Sequence, residues 1–315
     1  MDPNRSIDAD VSVLIISFNT CELTLGCLRS VQEQTRGVGY EVVVVDNASN
    51  DGSADAIARE FPSVRLVRLA ENVGFARANN LAAKEARGRY LLLLNPDTVI
   101  LDGTIQKAVT FADAHPRAGI VGGRTFFADR RLNYTSCHGA PTPWSQLCKG
   151  LGLSSLFRRS RWFDPESLGG WERDDVRKVD AVTGCFLLIR RPLWDELRGF
   201  DESFFMYGED TDLCLRAGKL GAACMICPDC TLIHYGGSSE RVRADKMVRL
   251  FRAKAQLFHK HWSPAAARFG VATLRMWAFT RMAALRVLST LTPRRQEAYA
   301  AWREVYSRRD QYCGT

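Results

Sequence analysis

The chain begins with a regular alternation of apolar runs and polar breaks. Val11–Ser17, Val42–Val45, Val64–Leu69 and Tyr90–Leu94 are short runs rich in aliphatic residues, of the length expected for strands. Between them, Glu22–Gln34, Ala54–Glu60 and Phe75–Ala86 have helical spacing, and Leu23, Leu25, Leu28 and Val31 supply packing positions on the first. Strand, helix, strand at this spacing predicts right-handed βαβ units and a parallel sheet. Tyr90-Leu91-Leu92-Leu93-Leu94 has no polar alternation, as a strand buried on both faces requires. Pro96 cannot continue such a strand, so Asn95-Pro96-Asp97 leaves the sheet at the strand's carboxyl end, where open α/β sheets bind ligands. The expected class is α/β and Rossmann-like: a mostly parallel central sheet flanked by helices, with a C-terminal basic helical extension.

The polar residues repeat this placement. Ser17 and Asn19 follow the first strand, Asp46 and Asn47 the second, Glu71 and Asn72 the third, Asn95 and Asp97 the fourth. Taken singly these are ordinary turn and cap residues. As a set they line one edge with carboxylates and amides and place no cation at the strand tips. Such a crevice suits a nucleotide whose ring edge and sugar hydroxyls need acceptors, with a metal to reconcile its phosphates with the carboxylates. No Gly-x-Gly-x-x-Gly follows the first strand, so the dinucleotide fingerprint is absent.

Composition is that of a globular chain, with 46% hydrophobic and 25% charged residues. The net charge of +8 is unevenly spread: residues 236–315 hold 16 Lys/Arg against 5 Asp/Glu, and the rest of the chain is slightly acidic. That asymmetry implies an anionic partner. The polar start, Met1-Asp2-Pro3-Asn4-Arg5, has no apolar core of a signal peptide, and arginines interrupt Ala265–Leu291 before it could span a bilayer. With ten cysteines and no export signal, reduced thiols and a cytoplasmic location are expected.

Several blocks, in order, resemble the inverting family-2 glycosyltransferases of the GT-A fold, in particular their bacterial rhamnosyltransferase-like branch. They are Val13-Leu14-Ile15-Ile16-Ser17-Phe18-Asn19, Val44-Val45-Asp46-Asn47-Ala48-Ser49, Asp51-Gly52-Ser53, Glu71-Asn72-Val73-Gly74-Phe75-Ala76, Asn79-Asn80 and Leu94-Asn95-Pro96-Asp97. Further on come Val182-Thr183-Gly184-Cys185, Gly199-Phe200-Asp201-Glu202, Gly208-Glu209-Asp210-Thr211-Asp212 and His234-Tyr235-Gly236-Gly237-Ser238.

The resemblance implies a GT-A domain over residues 11–262 behind a short tail (1–10). Its nucleotide-binding half would be 11–100, its acceptor half 101–240, and a basic amphipathic helical region would follow at 263–315. By the same resemblance Asp46 reads the ring N–H of uracil or thymine, and Ser17, Asn19, Asn47, Asn72, Gly74, Asn79 and Asn95 line the nucleotide-sugar pocket. Asn95-Pro96-Asp97 stands for the family's Asp-x-Asp motif, with Asn in place of the first acid. Asp97 and His234 would then hold Mg2+ or Mn2+. Asp210, beside Glu209, corresponds to the general base; an alcohol is a poor nucleophile near neutral pH and needs one. Asp180, Thr183, Gly184 and Tyr207 fall on the acceptor side, where Trp171 is a second aromatic platform or a packing residue.

The implied activity is transfer of L-rhamnose from dTDP-L-rhamnose to a lipid-linked or growing cell-surface glycan. UDP-galactofuranose, UDP-GlcNAc and UDP-hexoses are alternative donors, and a non-catalytic sugar-nucleotide or glycan-binding module is the alternative outside enzymes. Residues 263–291, in which Arg268, Arg275 and Arg286 share a helical face, suggest either an anionic membrane surface or packing within the protein or at a homodimer interface. Nucleic acid is not expected, because no nucleic-acid-binding motif accompanies the charge. Cys224, Cys227 and Cys230 lack the second Cys pair of a zinc ribbon, and on a regular strand residues three apart point to opposite faces, so buried thiols are expected.

Overall fold

The structure is a computed structural model that describes residues 9–236, 243–292 and 295–313. In chain order the elements are β1 (Val11–Ser17), α1 (Cys21–Gln34), β2 (Tyr40–Asp46), α2 (Ser53–Glu60), β3 (Arg65–Arg68), α3 (Phe75–Glu85), β4 (Tyr90–Leu94), β5 (Thr98–Ile100), α4 (Thr104–Ala114) and β6 (Ala118–Phe126). They continue with β7 (Cys137–His138), α5 (Pro143–Gly150), α6 (Leu153–Leu156), β8 (Arg177–Val179), β9 (Ala181–Val182), β10 (Phe186–Arg190), α7 (Arg191–Leu197), α8 (Glu209–Lys219) and β11 (Ala223–His234). Four helices follow: α9 (Arg243–His261), α10 (Pro264–Leu291), α11 (Gln296–Ser307) and α12 (Asp310–Cys313). The predicted βαβ series is therefore present, with ends displaced by one or two residues.

The chain divides into two compact units. The first holds residues 1–138, 172–205 and 209–239; the second gathers 139–171, 206–208 and 240–315. This division departs from a boundary at residue 262. The segment 139–171 and α9 cluster with the C-terminal helices, because α9 contributes Val248, Phe251 and Phe258 to the same apolar core as Val271 and Leu274 of α10 and Trp302 and Val305 of α11.

In the first unit a nine-stranded sheet runs β3-β2-β1-β4-β10-β6-β11-β5, with β8 beside β11. β1, β2, β3, β4, β6 and β11 are parallel, and β10, β5 and β8 run against them. The sheet is thus mixed and mostly parallel. Every residue of β1 and β4 is buried, which explains why neither alternates. The parallel register pairs Ser17 with Asp46, so those two strand ends are level. The antiparallel strand β10 begins where β4 ends, pairing Phe186 with Leu94. β11 ends beside the start of β5, pairing His234 with Thr98. One edge therefore collects the ends of β1, β2, β4 and β11 and the start of β10.

β11 is irregular between Cys227 and Thr231, where its register against β6 shifts. Regular alternation would separate Cys227 from Cys230; the bulge instead brings the two buried thiols within reach of each other. Cys224 meets Cys214 of α8. All ten cysteines are free thiols, and among the described residues no group of three or more Cys, His, Asp or Glu is placed to hold a metal.

In the second unit Ser263 caps α10 and Pro264 occupies its first turn, so the proline starts this helix. Ala267, Val271, Leu274 and Ala278 are buried, and Arg268, Arg275 and Arg286 are exposed. Glu166 is buried between Lys149 and Lys254 and also accepts from Ser145 Oγ at 2.6 Å. Among the described residues no helix is long and apolar enough to cross a membrane.

Gly74 shapes the approach to the sheet edge. Its φ is +85°, and a Cβ there would lie 2.5 Å from the Phe205 carbonyl oxygen, which accepts from Phe75 N. Gly74→Ala meets both obstacles. A loss of stability of about 1–3 kcal/mol is expected, read as a lower urea midpoint at unchanged m-value.

Candidate active site

Asp46 ends β2 and is 3% exposed. Its Oδ2 accepts from Ser49 N at 3.0 Å, while Oδ1 is buried without a hydrogen-bond partner. An unsatisfied buried carboxylate oxygen is costly and calls for a donor from outside the fold.

The neighbouring amides are occupied by the protein. Asn47 Nδ2 donates to Asn72 Oδ1 at 3.0 Å, Val73 N donates to Asn47 Oδ1 at 2.9 Å, and Gly74 N to Asn72 Oδ1 at 2.9 Å. Asn47 and Asn72 thereby brace the loop that carries Gly74. Asn19, exposed and with φ at +53°, accepts from Asn50 N through Oδ1 and donates its own N–H to Ser49 Oγ, tying the loop after β1 to the loop after β2. Ser17 Oγ is buried against Thr24 Oγ1 at 3.1 Å, and Asn79, also buried, donates to the Phe75 carbonyl within α3. These side chains hold the loops and helix starts along this edge in place.

Past β4, Asp97 and His234 come together as a pair. His234 Nε2 lies 3.3 Å from Asp97 Oδ1 and 3.4 Å from Asn95 Nδ2. Burial pulls the imidazole down, but hydrogen bonds to the Asp97 carboxylate and to Cys185 outweigh it and raise His234 to about 10 in the metal-free protein, so binding a metal through this ring would release its proton. Its Nδ1 is buried and makes no hydrogen bond. Tyr235 N donates to the Asp97 carbonyl at 3.0 Å, which fixes the two chain segments against each other. One carboxylate and one imidazole in contact are a donor set that fits Mg2+ or Mn2+, provided that phosphate oxygens and water complete the coordination.

Asp210 sits in the first turn of α8, half-buried. Oδ2 accepts from Gly184 N at 3.1 Å, and Oδ1 accepts from Thr211 N at 2.6 Å. Glu209, fully enclosed, has no partner for Oε2; burial, with the Asp210 charge adding to it, pushes its carboxyl well above the usual range and keeps it protonated. Asp212 is bound by Arg216 at 2.7 Å.

Asn95 N donates to the Cys185 carbonyl at 3.2 Å, so Gly184-Cys185 joins the Asp97–His234 pair to Asp210. Thr183 Oγ1 is spent on the Ser136 carbonyl, at 3.2 Å, and on Cys185 Sγ. Asp180 is exposed between the end of β8 and the start of β9, where Val179 pairs with Cys224 near the start of β11 and not at its His234 end. Tyr207 belongs to the second unit, where Lys246 lies over its ring, and Trp171 is buried there. Two residues at the site have no counterpart among the sequence-based candidates. Cys185 lies in a recognised block but carried no assigned role, and its place beside His234 follows only from the β10–β4 pairing. His138 Nε2 is 3.3 Å from Thr211 Oγ1, which itself reaches Asp210, and no local sequence signal marks it.

Comparison with known proteins agrees with this architecture. Over residues 12–197 the sequence matches the family described as Glycosyl transferase family 2. The O-antigen biosynthesis protein RfbC of Myxococcus xanthus is 27% identical over 241 residues, 74% of this chain but only 18% of that much longer protein. The N-acetylglucosaminyl-diphospho-decaprenol L-rhamnosyltransferase of Mycobacterium tuberculosis is 29% identical over 212 residues, covering 63% of this chain and 67% of that one. Among solved structures, the mannosyltransferase PcManGT from Pyrobaculum calidifontis, in complex with GDP-Man and Mn2+, superposes with a TM-score of 0.58 at 18% identity, over 100% of this chain and 88% of that one, showing the same GT-A fold. The chain belongs to glycosyl transferase family 2.

Proposed function

We propose that this glycosyltransferase moves L-rhamnose from dTDP-L-rhamnose, with inversion, onto a hydroxyl of a lipid-linked or growing cell-surface glycan at the cytoplasmic face of the membrane. One observation carries the reading: a continuous path runs from Asp210 through Gly184-Cys185 and Asn95 to the Asp97–His234 pair. It sets a carboxylate able to accept a proton a short way from a pair able to hold a metal diphosphate. The rhamnosyl donor is supported by the likeness to the mycobacterial rhamnosyltransferase. UDP-galactofuranose, UDP-GlcNAc and UDP-hexoses are the competitors, since uracil and thymine offer Asp46 the same imide N–H.

In this reading the free Oδ1 of Asp46 accepts the base N–H, and the braced Asn47–Asn72 loop holds the nucleoside against it. Asp97 and the deprotonated His234 would hold Mg2+ or Mn2+, which would offset the charge gathering on the departing diphosphate. Asp210, oriented by Gly184 and Thr211, takes the proton of the acceptor hydroxyl as its oxygen attacks the anomeric carbon from the face opposite the leaving group. The C1–O bond to the diphosphate breaks in the same step, the configuration inverts, and no covalent enzyme intermediate forms. Burial and the neighbouring Asp210 charge favour the neutral form of Glu209, which leaves Asp210 the better placed of the two to take the proton. Asn95 contributes an amide where the family motif has its first acid, which leaves Asp97 as the motif's only charge.

Nucleoside diphosphate release, followed with a panel of dTDP-, UDP- and GDP-sugars, tests this. Asp210→Asn is expected to lower kcat about a hundredfold or more with donor affinity intact; normal turnover would remove Asp210 as base. Asp46→Leu should weaken donor binding about ten- to a hundredfold in thermal-shift titrations with little change in fold. Chelation by EDTA should abolish release, Mg2+ or Mn2+ should restore it, and Asp97→Ala should prevent the restoration.

Glu209 gives a pH signature of its own. Its folded-state pKa is raised, so its favourable contribution is full below about pH 4.3, the unfolded value, and is lost as pH rises. Glu209→Gln mimics the protonated acid at every pH. The variant should therefore be more stable than the parent at pH 7, and urea midpoints of the two should converge as pH falls towards 4.

A further inference from the structure

The geometry points to a membrane-docking surface on the second unit, formed by the turn after α6 and not by the apolar face of α10, with the interface of an anionic lipid bilayer as its occupant. The inference rests on the lipid-linked acceptor in the proposed function, and adds the surface that would meet the membrane.

The apolar face of α10 is already used. Ala267, Val271, Leu274 and Ala278 lie in the core with Phe251, Phe258 and Trp302, so laying that face in a bilayer would require the unit to open. α10 still leaves Phe269, Phe279, Val287 and Leu288 exposed, but spread along the helix; the densest and most exposed apolar group lies in another segment. Trp162 is 77% exposed, Leu156 76%, Leu151 51%, Phe157 50% and Trp144 48%, all within nineteen positions. Isolated exposed apolar residues are normal, whereas a group of five large ones marks a contact surface.

These side chains are held out by structure. Trp144 Nε1 donates to the Trp162 carbonyl at 2.7 Å, and Phe163, half-buried, packs at a tilt with its ring centre 5.0 Å from that of Phe157 and 6.5 Å from that of Trp144. Phe163 thus forms a floor that keeps the rings above it from folding inwards. Arg281 Nη2 donates to Ser155 Oγ at 2.5 Å and Thr280 Oγ1 to the Gly150 carbonyl at 2.8 Å, anchoring the segment on α10.

The charge selects the partner. From Pro143 to Phe163 the chain has no acidic residue, and with Lys149 committed to Glu166 its surface cations are Arg158, Arg159 and Arg161. The three arginines are exposed and alternate with Leu156, Phe157 and Trp162. Tryptophan and aliphatic side chains at headgroup depth, interleaved with guanidinium groups for lipid phosphates, are the chemistry of an anionic bilayer interface.

The test is co-flotation of the full chain with vesicles of phosphatidylcholine alone and of phosphatidylcholine with about a third phosphatidylglycerol. The parent should float with the anionic vesicles, more weakly as salt rises, and not with the neutral ones. Replacing Arg158, Arg159 and Arg161 together by Ala should weaken binding on the order of a hundredfold, and Trp162→Ala or Leu156→Ala about tenfold each. Binding that survives these changes, or that is lost only when Arg268, Arg275 and Arg286 are replaced, overturns the assignment, as does a parent that does not bind. A dimer that Trp162→Ala dissociates, without vesicle binding, would assign the surface to self-association instead. Transfer to a water-soluble acceptor should be the same in the parent and in all these surface variants. Loss of transfer in the parent would count against the proposed function, whereas loss of flotation alone would count only against the docking surface.

Discussion

The antiparallel pairing of β10 with β4 is the constraint on which the site depends. β4 is apolar throughout and buried on both faces, so its backbone must be paired on both sides. β1 satisfies one side in parallel and β10 the other in antiparallel register. Because β10 runs the opposite way, it enters the sheet where β4 leaves it. Gly184 and Cys185 are therefore delivered to Asn95 from a point almost ninety residues further along the chain, and Asp210 follows through its bond to Gly184 N. A parallel neighbour would have placed its start at the opposite edge.

The site concentrates acids in little space, and each is stabilised in a different way. Asp97 has His234, Asp212 has Arg216, and Asp210 has two backbone N–H groups. Glu209 stays protonated. Asp46 keeps one oxygen without a partner, the kind of local cost that proteins retain where a ligand supplies the missing group. The surrounding amides, tied to one another and to the loops, give these acids fixed positions without adding charge.

The second unit follows a different design. Its core is built from helices and aromatic side chains, with one buried carboxylate between two lysines. Most of the chain's excess positive charge is placed on that unit, and the apolar residues it leaves outside are grouped next to arginines. The acidic sheet edge of the first unit and the basic helical second unit thus differ in the sign of the charge they carry.

The α/β class, the order of strands and helices in the first hundred residues and the polar character of one sheet edge were all legible in the sequence. They follow from local physics: burial on both faces removes alternation, and proline or clustered Asp, Asn and Gly end strands where the chain must turn. Asp46, Asp97 and Asp210 could be named from motifs for the same reason, each lying next to a strand end or helix start. Tertiary structure decided which of them meet. The Asp97–His234 contact spans well over a hundred residues and depends on β11 ending beside β5. The bracing of Asn47, Asn72 and Asn79 within their own loops and helix depends on hydrogen bonds that no spacing rule encodes, and the Cys227–Cys230 contact depends on a bulge. The fate of α10 was undecidable locally, because an amphipathic helix presents the same pattern to a membrane and to a neighbouring helix. Packing against α9 and α11 shows what covers its buried stripe, Ala267, Val271, Leu274 and Ala278.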